Sequence, residues 1–288
     1  MKTLSFNYEQ AFDRNLGWLS SEEQAILKRS SVAIAGVGGV GGYQAEVLAR
    51  LGVGHFKLAD PDTFELTNFN RQSGAVVETI GQAKVEVIQK RLLGINPDAR
   101  IEIFQEGLTP SNCDRFLDGV HLAVDGIDFF EVERKFFLFE KGYGKKIPVL
   151  TSCPLGFGAS IIIFSPFGMK YSSYFDLQPG MNEAAKRMAL TYGLSPSPLC
   201  LGYMSGKTVD PEAKRASSVA PGLMLVGALT GTEGVKILTG KSKIFSCPHV
   251  YQIDLMTRQV RKRYYPLGMA SPWQRLRRAI FKRFLKSV

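Results

Sequence analysis

The chain has 288 residues, 45% hydrophobic and 22% charged, the balance of a soluble globular protein with one large core or two unequal ones. No apolar run approaches the roughly 20 residues a membrane-spanning helix requires, and Met1–Asp13 lacks a basic stretch followed by an apolar one, so a cytoplasmic chain mature from residue 1 is expected. The net charge is +10, but six cations (Arg275, Arg277, Arg278, Lys282, Arg283 and Lys286) fall within residues 272–288, which hold no acid; residues 1–271 carry +4, and a general nucleic-acid face is weakly supported.

Ser20 followed by Glu23 reads as a capping box opening a helix over Ser20–Arg29. Ser31–Ala35 (SVAIA) predicts a strand, GVGGVGG a tight turn, and Tyr43–Leu51 a helix; His55–Ala59 predicts a second strand, closed by Asp60. The alternation continues with helix Gln82–Leu93, strand Ile101–Gln105, a helix around Ser111–Leu117, strand His121–Val124, helix Glu131–Tyr143 and strand Pro148–Thr151. Such alternation predicts a Rossmann-like, doubly wound α/β fold with a mainly parallel sheet.

Ala159–Phe164 and Tyr171–Tyr174 flank the turn-like SPFG and predict an antiparallel hairpin. A long crossover loop, about 178–221, is rich in Pro, Gly and Ser, with one helix expected near Asn182–Thr191. Met224–Leu238 predicts an apolar helix whose small residues suit close packing, and Pro248–Asp254 and Gln259–Tyr264 predict antiparallel strands in the C-terminal half. The organisation expected is an N-terminal helical arm (1–30), a main domain (31–265) and a basic amphipathic tail (266–288).

Four scattered cysteines (Cys113, Cys153, Cys200 and Cys247) form no C-x-x-C pair, so no zinc ribbon or disulfide framework is signalled. Three histidines, His55, His121 and His249, leave little for a histidine metal site or a Ser/His/Asp triad.

Chemistry gathers around the first turn. Gly36-Val37-Gly38-Gly39-Val40-Gly41 follows a strand and opens a helix, so the backbone can approach a phosphate while the helix N-terminus supplies N–H donors. Asp60, at the end of the next strand, can accept hydrogen bonds from ribose hydroxyls. Both features fit NAD as well as ATP. The residues beyond the second strand separate the two cofactors: Asp60-Pro61-Asp62, then Asn68-Phe69-Asn70-Arg71-Gln72, then Gly81-Gln82-Ala83-Lys84. Hydride transfer gains nothing from such a cluster, whereas attack on a phosphate gains from Arg and Lys beside the developing charge and from Asn and Gln that position it.

D-x-D followed by N-x-N-R-Q and G-x-x-K resembles the adenylation signature of the ThiF/MoeB/HesA superfamily of ubiquitin-activating-type enzymes. N-x-N-R-Q followed by G-x-A-K is most similar to its threonylcarbamoyladenosine dehydratase branch. The resemblance covers roughly Tyr8–Phe164 and Pro221–Gly240. It makes the main domain a ThiF-type adenylation domain and implies an ATP-dependent adenylyltransferase that activates a carboxylate as an acyl-adenylate, with release of pyrophosphate. The substrate classes implied are the C-terminus of a ubiquitin-like protein, a peptide, or a carboxylate on a modified tRNA base.

By the same resemblance the nucleotide site comprises Gly36, Gly38, Gly39, Gly41, Asp60, Asp62, Asn68, Asn70, Arg71, Gln72, Lys84, Asp125 and Asp128, with Asp60 on the ribose, Asn68, Arg71 and Gln72 on phosphates, and Lys84 on the triphosphate. Asp125-Gly126-Ile127-Asp128 matches the family's D-x-x-D and implies a magnesium-linked, catalytic Asp128; carboxylates suit Mg2+. A helix N-cap is the alternative for Asp128. Arg14 resembles the arginine that dimeric relatives supply to the partner's active site, so the catalytic set implied is Arg14, Arg71, Lys84 and Asp128 in a homodimer; a solvated surface arginine is the alternative.

Three departures stand out: Phe129 replaces an Asn common after the second Asp, the relatives' paired C-x-x-C zinc motifs are absent, and no cysteine has a recognisable catalytic context, Cys200 being the one placed to accept an acyl group. The rival functions are an NAD- or FAD-dependent oxidoreductase and a non-catalytic nucleotide-binding module of the same fold. In the tail, Trp273, Leu276, Ile280 and Phe284 lie along one helical stripe among cations. Such a helix suits peripheral contact with an anionic membrane or a partner's groove, or packs on its own domain.

Overall fold

A computed structural model describes residues 5–205, 209, 210 and 215–287, the side chains of 209, 210, 215 and 282–287 excepted. The expected stripe position Phe284 and the cations Lys282, Arg283 and Lys286 therefore have side chains outside the described residues, as does part of the crossover loop. In chain order the elements begin α1 (Tyr8–Ala11), α2 (Ser21–Arg29), β1 (Ser31–Ala35), α3 (Gly39–Arg50), β2 (His55–Ala59), α4 (Lys84–Ile95), β3 (Arg100–Phe104), α5 (Cys113–Leu117) and β4 (Leu122–Asp125). They continue α6 (Val132–Gly144), β5 (Val149–Leu155), β6 (Gly158–Phe164), α7 (Tyr171–Phe175), α8 (Glu183–Leu194), β7 (Val209–Asp210), β8 (Arg215–Ala216), α9 (Ala220–Thr239), β9 (His249–Asp254), β10 (Gln259–Tyr264) and α10 (Pro272–Ser287). The fold is the Rossmann-like α/β class expected, with antiparallel strands in the C-terminal half. No described helix is long and apolar enough to cross a membrane.

The chain forms two units, Met1–Gly126 with Gly227–Ile244, and Ile127–Val226 with Phe245–Val288. In the first, four strands run parallel in the order β4-β1-β2-β3. The central strand β1 is covered on both faces, Val32, Ala33, Ile34 and Ala35 being fully buried, whereas Arg100 and Glu102 of the edge strand β3 are exposed. Register aligns Ala35 with Ala59 and with Asp125, so β1, β2 and β4 end together and their following loops share one edge. The expected capping box opens α2: the Glu23 N–H donates to Ser20 Oγ (3.1 Å) and the Ser20 N–H to Glu23 Oε2 (2.7 Å). Helix α9 lies close to α3 because Gly231 has no side chain; a Cβ there would sit 2.4 Å from Val47 Cγ1.

In the second unit the strands are antiparallel in the order β5-β6-β9-β10. Every residue of β6 is buried, whereas β10, at the edge, is exposed along nearly its whole length. The expected partner strand at Tyr171–Tyr174 is instead helix α7. Its aromatic residues suit a strand by propensity, but Tyr171, Tyr174 and Phe175 stand at i, i+3 and i+4, and as a helix all three bury against Phe139 and Phe164. The crossover region holds α8, capped by Asn182 Oδ1, which accepts from the Ala185 N–H, and the short β7–β8 pair.

Asp176 follows α7 in the left-handed conformation (φ 57°) and is buried. Arg275 donates to it twice (Nε to Oδ2, 3.0 Å; Nη2 to Oδ1, 2.7 Å), and Arg278 Nη2 donates to Oδ2 at 2.9 Å. Burial pushes this carboxyl up, but the hydrogen bonds from Arg275, Arg278 and Gln178 outweigh it, and its pKa lies below the ordinary value. A depressed carboxyl contributes stability that is fully present above its unfolded pKa, about 3.9, and is lost as pH falls through the folded value. Amides of α10 should accordingly exchange about ten-fold faster or more in Asp176→Asn, and in the wild-type chain as pH drops below about 4, after correction for intrinsic rates. Unchanged protection of α10 in the variant, measured by hydrogen-exchange mass spectrometry, would show that these ion pairs do not hold the helix.

Candidate functional site

The first unit brings most of the expected site residues to the shared edge of β1, β2 and β4. Gly36 leaves β1 with φ 83°, a conformation glycine adopts without strain, and its N–H donates to Ala59 O at 2.7 Å. The chain then turns so tightly that a Cβ at Gly41 would stand 1.8 Å from Gly36 O, and one at Gly126, just past β4, 2.3 Å from the same oxygen. Gly38 caps α3 without a side-chain hydrogen bond, and Gly39 is that helix's first residue, so the helix N-terminus is bare backbone.

Asp60 is buried beside this turn. Its Oδ2 accepts the Val37 N–H at 2.8 Å and its Oδ1 the Asp62 N–H at 3.0 Å. Desolvation raises its pKa, against the opposing pull of Lys84 and of the two backbone hydrogen bonds. Lys84, the first residue of α4, is buried and pairs with Asp62 (Nζ to Oδ2, 2.9 Å), whose side chain remains 63% exposed.

The N-x-N-R-Q segment forms a short helical turn. Asn68 is buried and its Oδ1 accepts the Glu65 N–H; Arg71 Nη1 donates to Thr67 O (2.8 Å) and to Oδ1 of the exposed Asn70 (3.0 Å). Gln72 lies directly against the glycine turn: a Cβ on Gly38 would be 3.2 Å from Gln72 Oε1. That oxygen is buried without a hydrogen-bond partner among the described residues, and so is the neighbouring Ser73 hydroxyl. Buried polar atoms of this kind are rare; a hydroxyl, an N–H or a water would complete Gln72 Oε1, and the Ser73 hydroxyl can donate or accept. Ser73 and the Val37 N–H were not among the expected residues, and Gly126 stood only as a spacer within D-x-x-D; only the tertiary fold shows that Gly126 packs on Gly36 O, that the Val37 N–H meets Asp60 and that the Ser73 hydroxyl is buried.

Asp125 ends β4 and is buried. Asp128 belongs to the second unit, where it is exposed and its Oδ1 accepts the Phe130 N–H at 2.8 Å. It is not a helix N-cap, since that position before α6 is Glu131. Arg14, in a short turn between α1 and α2, is exposed and forms no ion pair among the described residues. No group of three or more metal-ligating side chains occurs among the described residues. Cys113 and Cys247 are buried; burial pushes the thiols of Cys247 and Cys200 up, which disfavours the thiolate an acyl acceptor requires.

Comparison with known proteins matches the ThiF family model over residues 12–267. The chain is 37% identical over 142 residues to a tRNA threonylcarbamoyladenosine dehydratase of Bacillus subtilis (strain 168), covering 49% of this chain and 55% of that protein. It is 28% identical over 239 residues to a molybdopterin-synthase adenylyltransferase of Escherichia coli (strain K12), covering 83% and 84% of the two chains. The chain thus spans about half the length of the dehydratase relatives it matches. Among solved structures, that of E. coli MccB with ATP superposes with a TM-score of 0.63 at 18% identity, covering 87% of this chain and 68% of that one. A glycine turn closed on a buried Asp, with N-x-N-R-Q and Lys84 beside it and a family match across most of the chain, leads to one conclusion: this protein belongs to the ThiF family.

Proposed function

We propose that the chain binds ATP at the carboxyl edge of β1 and β2 and lets a substrate carboxylate attack the α-phosphorus. A carboxylate oxygen forms the new bond to that phosphorus, the bond to the β-phosphate's bridging oxygen breaks, pyrophosphate leaves and an acyl-adenylate remains. The observation that carries this reading is the charged pair at the glycine turn: buried Asp60 holds the Val37 N–H, and the buried cation Lys84 lies close enough to pull on that carboxyl. A nicotinamide or flavin site has no use for that lysine, and membership of a family whose relatives are named adenylyltransferases and dehydratases favours adenylation over oxidoreduction.

In this scheme Asp60 is held by two backbone N–H groups and keeps lone pairs for the ribose hydroxyls. The bare N-terminus of α3 receives a phosphate, Asn68 and Gln72 position the phosphoryl oxygens by donating from their side-chain amide N–H groups, and Arg71 and Lys84 stabilise the charge that builds on them. Lys84 moves from Asp62 to the triphosphate with little desolvation, being buried already. Asp125 and Asp128 match the family's D-x-x-D, and Asp128, an exposed carboxylate, would hold magnesium. One carboxylate suffices, because Mg2+ takes its remaining oxygens from phosphates and water, and it would neutralise phosphate charge when bound. Of the carboxylate classes, a modified tRNA base is the first to test, since relatives at 36–37% identity are named tRNA threonylcarbamoyladenosine dehydratases; a ubiquitin-like C-terminus and a peptide come next. Exposed Trp18, Leu66 and Val77 in the first unit support a homodimer, with Arg14 supplied to the partner.

Mg-ATP should bind more tightly than NAD in a direct calorimetric comparison; the reverse order would sink the nucleotide assignment. Asp128→Ala should lower exchange of labelled pyrophosphate into ATP by about 10²–10³-fold with the fold intact, the loss typical of one charge-stabilising group. Activity within a few-fold of wild type would remove Asp128 from the reaction. Arg14→Ala should also be inactive, yet mixing it with Asp128→Ala under subunit exchange should restore about a quarter of wild-type activity, since half the dimers then hold one complete site of two. A dead mixture with proven exchange, or a monomer in solution, would show that Arg14 does not act in trans.

A further inference from the structure

Helix α10 is built inside out. Its side toward the second unit is mostly polar: Gln274 is buried and accepts from the Tyr192 hydroxyl (2.7 Å), Arg275 and Arg278 hold Asp176, and Arg277 Nη2 donates to Pro196 O at 3.2 Å, with Phe281 adding an apolar contact to the Tyr192 ring. Its apolar stripe points to solvent instead, with Trp273 64%, Leu276 52% and Ile280 58% exposed. Three large side chains along two turns of helix make an apolar strip about 10 Å long, a surface that monomeric proteins seldom leave uncovered.

The charge of this part of the chain is one-sided. Residues 245–288 contain ten Lys and Arg against a single acid, Asp254, and so carry +9 of the chain's +10. Asp254 is buried, while Arg261, Lys262 and Arg263 of the edge strand β10 are exposed. One concavity is lined by Arg263, Tyr264, Leu267, Gln274 and Arg277, which places the end of β10 beside α10.

We infer that this face of the second unit docks on an anionic lipid surface. An interface of that kind receives Trp at head-group level, Leu and Ile beneath it, and Lys and Arg against the phosphates. A nucleic-acid backbone would engage the cations but leave Leu276 and Ile280 in water. With α10 anchored through Asp176, the helix reaches the membrane already folded and oriented, so no ordering entropy opposes docking. The inference is independent of the adenylation reading.

The test is co-sedimentation of the full chain with vesicles of phosphatidylcholine alone and of phosphatidylcholine with one-third phosphatidylglycerol, at low and high salt. Partition onto anionic vesicles should be about ten-fold stronger or more and should fall with salt. Leu276→Glu with Ile280→Glu, both exposed, should reduce it about ten-fold or more while thermal stability and Mg-ATP binding stay unchanged. Arg261→Gln with Lys262→Gln, which leaves the strip intact, should weaken partition too. Equal partition onto neutral and anionic vesicles, or undiminished binding by both variants, would overturn the proposal. So would a dimer that dissociates in the Leu276→Glu, Ile280→Glu variant, meaning that a second copy covers the strip, or retention on bulk tRNA without vesicle binding.

Discussion

The burial of Asp60 at the end of β2 is the constraint on which the first unit's site depends. A carboxylate removed from water must have its oxygens satisfied, and here the donors are the backbone N–H of Val37 in the glycine turn and that of Asp62 in the following loop. Those two bonds pin the turn after β1 and the loop after β2 to one point. The pin works only because the turn can close upon itself: the near-contact of Gly41 with Gly36 O leaves no volume for a side chain. Lys84 acts on the same Asp60 carboxyl, and Gln72 packs against Gly38, so both lie beside the turn that leads into α3.

The second unit uses the same physics for a different purpose. Asp176 is likewise a buried carboxylate, but its partners are two arginines from a helix nearly 100 residues further along the chain, drawn from that helix's charged face. An amphipathic helix ordinarily docks by its apolar side; here the ion pairs and the Gln274–Tyr192 hydrogen bond decide, and the apolar side turns outward. Each buried acid thus selects which backbone or helix surface lies against it.

Much of this is legible in the sequence where the signal is local. Strands β1 and β2 fall on the expected residues, the Ser20 capping box forms, and the motif residues from Gly36 to Lys84 gather at one edge, because the 2.0 and 3.6 periodicities and the glycine turn are carried by neighbours in the chain. Helix α7 departs from the expected strand because Tyr-Ser-Ser-Tyr-Phe is strand-like by propensity and becomes helical only against Phe139 and Phe164. Helix α3 begins at Gly39, ahead of the expected Tyr43, since glycines weaken the helical signal in the sequence. Periodicity reveals the stripe on α10 but not its direction, which Asp176 sets from afar. The unpartnered oxygens of Gln72 and Ser73 are likewise invisible in the sequence, being properties of packing.

The proposed reaction is attack of a carboxylate oxygen on the α-phosphorus of ATP at this edge. Its most direct test is turnover with a carboxylate substrate labelled with oxygen-18, tRNA bearing a carboxylate-modified base first, followed by mass spectrometry of the nucleotide released. Attack at the α-phosphorus places one labelled oxygen in AMP as the acyl group passes to its acceptor. Unlabelled AMP, or release of ADP and phosphate in its place, would show that the carboxylate does not attack the α-phosphorus.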